Sequence, residues 1–380
     1  MARLDEIFDL QMGKTPSRSN ADYWTDGQYD WVSIADLGTY KKYVEDTKEK
    51  ISASAVQESG IKSVPANTVI MSFKLSLGKT AITQEPVYTN EAIMAFIPTG
   101  KYTVLPDYFY YLLSAKDWTK GTNRAVMGAT LNKATLGAVS VTVPPLNEQR
   151  KIVMILDKVS DLLAKHHQQL DKLDELVKSR FVEMFGDPTY NPKGYKIKKL
   201  SQLGELNRGV SKARPRNSPE LLGGPYPLVQ TGEVTASELY INTYENTYSE
   251  KGLAQSRMWP KGTLCITIAA NIAQTAILNI DACFPDSVVG FIPGKEVTQI
   301  YMHYWFTFFQ KILEEQAPQV AQKNINLKIL NDLDVMVPER TLQEQFEKLV
   351  NQTDKSKLAI QKSLEKLEIL KKALMQKYFG

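Results

Sequence analysis

The sequence predicts the α+β fold class, with two similar mixed α/β units separated by two long helices that form an intramolecular antiparallel coiled coil. Three observations support this. The chain repeats itself at an offset of 194–197 residues, as in SVPANTVIMSFKLSLGKTAI (63–82) and MWPKGTLCITIAANIAQTAI (258–277). β-prone and helical stretches mix within each copy, and each copy ends in a long amphipathic stretch. A period this long is one folded unit plus one connector used twice, unlike the short periods of solenoid proteins.

The elements of the two copies correspond in order. In the first copy, Gly, Pro and Asn separate the β-prone runs YDWVSI, NTVIMSF, AIMAFIP and AVSVTV, and residues 106–118 form a helical stretch. The second copy has YPLVQT, GTLCITI, VVGFIP and DLDVMV, with a helical stretch at 299–313. Strands and helices do not alternate regularly, so we expect mixed α+β units rather than βαβ repeats.

Proline and glycine mark the boundaries between these elements. Pro144, Pro145 and Pro338 precede the two long helices, and Gly186 follows the first. Proline is favoured at helix starts and glycine just past helix ends. The predicted domains are 1–145 and 187–341 (globular), and 146–186 and 342–380 (long helices).

Both long helices carry positions spaced alternately by four and three residues, the a/d pattern of a coiled coil. The predicted seam of the first helix comprises Ile152, Leu156, Val159, Leu163, His166, Leu170, Leu173 and Val177. The predicted seam of the second comprises Phe346, Leu349, Thr353, Ser356, Ile360, Ser363, Leu367, Leu370 and Leu374. A helix of about 35 residues is roughly 50 Å long. Because a seam of this length exceeds what one globular unit can cover, we expect the two helices to pair with each other.

Composition narrows the class of protein. The 380 residues are 43% hydrophobic, and the mean hydropathy is −0.29. No apolar run approaches the roughly 18 residues needed to span a bilayer. The start MARLDEIFDLQ lacks the apolar stretch of a signal peptide, so we expect a cytoplasmic protein. Cys265 and Cys283 lack the spacing of a zinc site and are expected to be buried, reduced thiols.

The distribution of charge is more informative than the net charge of +4. Three stretches of the first copy and three at corresponding places of the second contain no Asp or Glu: 10–21, 59–84, 118–147, 206–219, 251–280 and 316–331. Locally basic loops attract phosphate without a high overall charge. Chance spacing of acidic residues is the alternative, but recurrence in both copies favours a phosphate-facing surface.

Sequence patterns that carry catalysis or metal binding are missing. LSLGKTAI ends like a phosphate-binding loop but has Phe73 where GxxxxGK[ST] requires its first glycine. His166 and His167 fall on the first long helix and His303 in an aromatic helix. That distribution suits neither a metal site nor a Ser-His-Asp triad. We therefore expect a chain without catalysis, cofactor or metal of its own.

Several segments resemble the specificity (S) subunit of type I restriction-modification enzymes. The matching pieces are GKTPSR…DYW…WVSIADL (13–37), the loop containing NTVIMSF and GKTAI, GATLNKATL (128–136), VPPLNEQRKIV (143–153) and the terminal FG of both copies. The resemblance covers essentially the whole chain. It implies two target-recognition domains that each read half of a bipartite double-stranded DNA site, and a coiled coil that sets the spacer and docks two methyltransferase (modification) subunits. Restriction subunits join that core, and methylation and cleavage belong to the partners.

The two copies differ in the segments that would meet DNA. SFKLSLGKTAI faces TIAANIAQTAI, and GATLNK faces QKNINL, so an asymmetric target is implied. Asn and Gln pair well with adenine edges, and Arg and Lys with guanine edges. The candidate DNA-binding residues are Lys14, Arg18, Lys74, Lys79, Arg124, Lys133, Arg208, Lys212, Arg214, Arg216, Asn271, Gln274, Lys323 and Asn324. Because VPERTLQEQ has two residues more than VPPLNEQ, we expect the second helix to begin differently from the first.

Two other functions stay open at this point. A stand-alone enzyme with a duplicated domain would need a catalytic set in both copies. A coiled-coil scaffold protein would bind protein rather than DNA at its globular ends. For the DNA-reading function, two modules on one face of a duplex are best placed about one turn, roughly 34 Å, apart. Inserting or deleting one helical turn within 157–175 is then expected to change the spacer and leave both half-sites intact.

Overall fold

The computed structural model describes residues 1–74, 76–118, 123–125, 128–269, 272–316 and 325–380, and of 123–125, 128–130 and 309–316 it describes the backbone alone. The chain divides into two compact units, one formed by Met1–His166 with Lys362–Gly380 and the other by His167–Gln361. Each long helix therefore contributes one part to each unit. Within the described ranges, no helix is both long enough and apolar enough to cross a membrane.

The first unit combines short strands, short helices and one end of each long helix. Its elements, with the whole of the first long helix, are β1 Ala2–Arg3, α1 Leu4–Ile7, β2 Phe8–Met12, β3 Tyr29–Val32, α2 Ile34–Leu37, β4 Glu49–Ile51, α3 Ala53–Ser59, β5 Val69–Ser72, β6 Thr80–Ile82, β7 Tyr88–Thr89, β8 Ile93–Pro98, α4 Pro106–Ala115, β9 Asn123–Ala125, β10 Gly128–Thr130, α5 Lys133–Gly137, β11 Ser140–Val141 and α6 Leu146–Phe185.

An antiparallel sheet in the order β2-β8-β5-β6 forms the centre of the first unit. Strand β5 is buried at every position because both faces of this sheet are covered. Val69 and Met71 pack in the cluster that contains Phe109 of α4, whereas Ile70 packs with Val32 of β3 on the other face. This explains why the strand is a continuous apolar run rather than an alternating one.

The second unit repeats this plan with its own elements and the other end of each long helix. With the whole of the second long helix, they are β12 Lys196–Lys199, α7 Leu200–Leu203, β13 Gly204–Arg208, β14 Leu222–Leu228, α8 Thr231–Ala236, β15 Tyr240–Ile241, β16 Asn246–Tyr248, α9 Glu250–Ala254, β17 Met258–Trp259, β18 Leu264–Thr267, β19 Thr275–Leu278, β20 Ala282–Cys283, β21 Val288–Pro293, α10 Gln299–Gln316, α11 Leu327–Asn331, β22 Asp334–Val337 and α12 Arg340–Phe379.

A sheet in the order β13-β21-β18-β19-β15 is the centre of the second unit, beside a smaller sheet in the order β16-β14-β20-β17. Leu264 and Ile266 face the cluster that contains Trp305 of α10, and Cys265 faces Trp259 on the opposite side. Both cysteines are free and buried, as predicted. The predicted helical stretches at 106–118 and 299–313 are α4 and α10, and all eight β-prone runs contain a strand. The predicted α+β fold class is confirmed.

The long helices run antiparallel within each unit. In the first unit, Ile152 packs near Tyr378, and further along α6 the His166 Nε2 lies 3.0 Å from the Ser363 hydroxyl. In the second unit, Lys357 forms an ion pair with Asp174. Further along α6 in that unit, Phe181 and Phe185 contact Tyr301 of α10 and Phe346 of α12.

The eight predicted seam positions of the first helix are each buried or half-buried. In the second helix, two of the predicted seam positions, Ser356 and Leu370, are exposed, whereas Leu349 and Ser363 are half-buried. The buried positions are Phe346, Val350, Thr353, Lys357 and Leu364. The prediction named Leu349, Ser356, Ser363 and Leu370 instead of 350, 357, 364 and 371, and Leu370 is 45% exposed. Thr353 and the ion-paired Lys357 are polar but lie in the seam. A seam assigned from apolar residues alone therefore shifts to neighbouring positions.

The two long helices begin in the same way, which corrects the expectation that the second begins differently. Gln149 is fully buried; its amide accepts from the Leu105 N–H and donates to the Thr103 and Pro144 carbonyls, all at 2.9 Å. Gln343 is equally buried and makes the same three bonds, also at 2.9 Å, to Thr298, Glu296 and Pro338. The equivalent of Gln149 is therefore Gln343, not the LxEQ glutamine Gln345, and no residues are inserted.

Candidate nucleic-acid interface

Three loops of the first unit meet at one end of its four-stranded sheet, here called the loop end. Strand β2 ends opposite the start of β8, since Met12 pairs with Met94. Strand β5 ends there too, because Ser72 pairs with Ile93. The loop after β2, the hairpin 73–79 and the turn 90–92 before β8 therefore lie together. Three of the candidate residues lie on these loops and therefore at the loop end: Lys14, Lys74 and Lys79.

The second unit has an equivalent loop end. Arg208 at the end of β13 pairs with Val289, and Thr267 at the end of β18 pairs with Val288. The loop that begins at 209, the hairpin 268–274 and the turn 284–287 are thus neighbours. The segment before α5 and the one before α11 join these loop ends through Leu131 N–H to Phe73 O and Ile325 N–H to Ile268 O, both at 3.0 Å.

A glycine begins the first loop in both units because the backbone approaches the opposite turn closely there. A Cβ added to Gly13 would lie 2.3 Å from the Thr89 and Asn90 carbonyl oxygens. A Cβ added to Gly209 would lie 2.3 Å from the carbonyl oxygens of 284 and 285. Only glycine permits this approach, so the same close packing fixes the start of the basic loop at both loop ends.

Arg18 is held by aromatic and acidic side chains of its own unit. Its guanidinium carbon lies 3.6 Å from the ring centroid of Trp24, and its two terminal nitrogens lie 2.5 and 2.8 Å from the carboxylate oxygens of Glu49. The hydrogen bonds from Arg18 hold the pKa of Glu49 below its ordinary value. Trp24 and Trp31 donate to the carbonyls of Ser17 and Lys14, at 3.2 and 3.1 Å, and so fasten this loop.

The lysines of the first unit are less constrained. Lys14 donates to the Ser59 carbonyl. Lys74 lies with its ammonium 5.2 Å from the Phe73 ring centroid, and Lys79 and Lys133 are exposed. Lys74, Lys79 and Lys133 pair with no carboxylate in the part of the chain that the structure describes. For Arg124 the structure describes only the backbone, in β9, so its side chain lies outside the described residues.

Three arginines of the second unit converge on Asp286 in the turn before β21. Arg208 donates twice to the Asp286 carbonyl, at 3.0 and 2.7 Å. Arg216 pairs with the Asp286 carboxylate at 2.5 Å, and Arg214 lies 3.8 Å from it. One carboxylate among three guanidinium groups leaves a local excess of positive charge that suits a phosphate.

Two further candidates of the second unit, Lys212 and Gln274, lie at least partly in solvent. Lys212 is exposed, and its backbone N–H donates to the Gln255 side chain at 2.6 Å. Gln274 is half-exposed at the end of the hairpin 268–274. Asn271, Lys323 and Asn324 lie outside the described residues.

The acid-free stretches of the sequence do not produce acid-free surfaces. Glu49 reaches Arg18 from another segment, and Asp286 reaches the arginines of the second unit in the same way. Sequence reasoning missed both carboxylates, because they lie far from the arginines along the chain and only the fold brings them together. Trp24 and Trp31 are further residues that sequence reasoning missed, because the WxxxxxxW spacing alone does not show that both hold one loop.

Ion pairs attach each globular part to the helices of its own unit. Lys42 contacts Asp107 of α4 at 2.8 Å and Asp157 of α6 at 2.5 Å. Burial alone would lower the pKa of Lys42, but the hydrogen bonds to the two carboxylates raise it above its ordinary value. In the second unit the charges are exchanged: the long helix α12 supplies the lysine, Lys357, and the globular part supplies the carboxylate of Glu238, at 2.9 Å. These contacts orient the loop ends relative to the helices within each unit.

Two homologous α+β units, each with a loop end and a share of two antiparallel helices, define a duplicated two-module architecture. A family model described as the type I restriction modification DNA specificity domain matches residues 1–175 and 192–371. The chain belongs to this family.

Individual relatives agree with the family. The chain is 27% identical over 226 residues to the type I restriction enzyme MjaIX specificity subunit of Methanocaldococcus jannaschii, covering 54% of this chain and 52% of that protein. It is 29% identical over 187 residues to the EcoR124I/EcoR124II specificity subunit of Escherichia coli, covering 47% and 45%. The chain thus spans about half the length of these curated relatives.

A crystal structure of a type I restriction-modification system S subunit from M. genitalium has the same fold. It superposes with a TM-score of 0.59 at 14% identity, over all of this chain and 95% of that one.

Proposed function

We propose that this chain is the DNA-specificity subunit of a type I restriction-modification complex, located in the cytoplasm. Its globular domains, 1–145 and 187–341, would each read one half of an asymmetric bipartite site with the loop end. The helical segments 146–186 and 342–380 would set the spacer between the half-sites. The observation that carries this proposal is the convergence of basic and amide side chains at the same end of the central sheet in both units.

The partners follow from the helices and the family. Outward-facing apolar side chains on the long helices remain exposed in each unit: Met154, Ile155, Leu162, Ile369 and Leu370 in the first, and Leu176, Val182 and Leu358 in the second. Exposed apolar patches rimmed by polar residues are typical of protein interfaces. We propose that they dock two methyltransferase subunits, which restriction subunits then join. The chain itself would not catalyse methylation or cleavage, in line with the relatives' naming as specificity subunits.

Selection of DNA duplexes tests the reading function. The chain assembled with its modification subunits is incubated with random-sequence duplexes, and the bound fraction is sequenced. We expect one bipartite sequence with two unlike halves. A selection without sequence enrichment would favour the scaffold function instead and refute this proposal. Methylation in the presence of S-adenosylmethionine should require the modification subunits; methylation by the purified chain alone would support the stand-alone enzyme.

Salt dependence tests the position of the surface. Lys74→Gln removes a charge at the loop end, whereas Lys101→Gln removes one beyond the opposite end of β8. Each phosphate contact contributes about 0.9 to the slope of log K against log salt concentration. We expect Lys74→Gln to reduce the slope by about one and Lys101→Gln to leave it unchanged. Equal effects of the two variants would place the DNA elsewhere.

A further inference from the structure

The hairpin between β5 and β6 and the hairpin between β18 and β19 are closed by the same hydrogen bonds. In the first, the Ser72 hydroxyl accepts from the Lys79 N–H at 3.0 Å, and the Gly78 N–H donates to the Ser72 carbonyl at 2.9 Å. In the second, the Thr267 hydroxyl accepts from the Gln274 N–H at 3.1 Å. The N–H of the residue before Gln274 donates to the Thr267 carbonyl at 2.8 Å.

The conformation of the penultimate residue confirms the match. Gly78 has φ of 82° and Ala273 has φ of 57°. An alanine rarely adopts this left-handed region without a constraint from its surroundings. The same turn shape is therefore kept in the second hairpin although the glycine is absent, and residues 79 and 274 occupy equivalent positions.

The side chains at these equivalent positions differ in chemistry and are uncommitted. Lys79 is exposed, and a Cβ built on Gly38 would lie 2.4 Å from its ammonium, so the missing side chain at Gly38 leaves room for it. Within the described residues, Lys79 pairs with no carboxylate and the Gln274 side-chain amide makes no hydrogen bond. Arg18 and Arg216, by contrast, are already bound to carboxylates.

We propose that Lys79 and Gln274 are equivalent base-reading positions of the two domains, with Lys79 favouring guanine and Gln274 favouring adenine. This inference rests on the proposed function. A lysine ammonium donates to the O6 and N7 acceptors that guanine presents in the major groove, and a glutamine amide both donates to N7 and accepts from N6 of adenine. A hairpin closed by the same hydrogen bonds, with an exchangeable side chain at its end, thus accounts for half-sites that differ while the strands on either side stay constant.

The test exchanges the two side chains in the full chain assembled with its modification subunits. Lys79→Gln and Gln274→Lys are prepared, with Lys74→Ala as the matched control. Lys74→Ala also removes one hairpin charge, and it introduces the residue found at the equivalent position 269. Circular dichroism checks that each variant is folded. Bound sequences are selected from the random-sequence duplex library at constant salt concentration.

We expect Lys79→Gln to change one position of one half-site from guanine to adenine, with a preference shifted about tenfold or more. Gln274→Lys should change one position of the other half-site in the opposite sense. Lys74→Ala should weaken binding without changing either half-site.

Two results would overturn the inference, and they differ in meaning. If Lys79→Gln selects the wild-type sequence and only lowers affinity and the salt slope, residue 79 contacts phosphate; the proposed function then stands and the base-reading role fails. If the wild-type assembly itself enriches no bipartite sequence, the proposed function fails first.

Discussion

The two glutamines near the start of α12 provide a sharp test of the structural equivalence between the copies. Gln343→Met keeps the side-chain volume but removes the amide that binds Thr298, Glu296 and Pro338. One buried N–H and two buried carbonyls then lose their partners, at about 1–3 kcal/mol each. We expect the free energy of unfolding of the second unit to fall by roughly 3–9 kcal/mol. Thr298 directly precedes α10 and its hydroxyl accepts from the Tyr301 N–H, so this helix start should also loosen.

The matched control is Gln345→Met, at the exposed glutamine that the LxEQ pattern would equate with Gln149. It should change the free energy of unfolding by less than about 0.5 kcal/mol. Urea denaturation followed by tryptophan fluorescence measures both variants, and hydrogen exchange of the Thr298 amide reports the local loss. A large effect of Gln345→Met with an unchanged Gln343→Met would refute the alignment at an offset of 194 residues. Gln149→Met should reproduce the loss in the first unit.

Three further predictions concern stability. Burial lowers the pKa of His303 to about 4. In the unfolded state the imidazole takes up a proton below its ordinary pKa, so the free energy of unfolding should fall by about 2 kcal/mol between pH 7 and pH 5. Denaturation of His303→Leu should lack this part of the pH dependence. Ala273→Gly should raise the thermal midpoint of unfolding, because glycine adopts the left-handed φ of 57° without strain; the gain in stability is up to about 1 kcal/mol. Gly78→Ala should lower the thermal midpoint, because the new Cβ would lie 2.7 Å from Trp118. Burial would raise the pKa of Asp107, but the hydrogen bonds from Lys42 and Tyr43 hold it below its ordinary value. The contribution from Lys42 is present above that ordinary value and is lost as pH falls through the lowered one. Lys42→Met should therefore cost about 1 kcal/mol at pH 7, and a series of urea titrations should show this cost shrinking as pH falls below the ordinary pKa of Asp107.

The sequence predicted which loops form the candidate surface but not the ion pairs within it. The hairpin alignment that sets Lys79 against Gln274 could be read from the repeat, because both copies keep the strands on either side. The carboxylates that bind Arg18 and Arg216 could not be read, since Glu49 and Asp286 are distant in sequence and meet the arginines only through the fold. The prediction from acid-free stretches therefore overestimated the number of guanidinium groups without a carboxylate partner.

By itself the sequence determined the duplication, the α+β class and the family. These features depend on periodic apolar positions and on local turn residues, which can be recognised in the amino-acid sequence. The register of α12 and the identity of its anchoring glutamine were decided only by tertiary structure. Lys357 sits in the seam because Asp174 and Glu238 neutralise it, and Gln343 is buried because three backbone groups of its unit need its amide. Polar residues become interior residues only when partners surround them, and those partners are supplied by the fold.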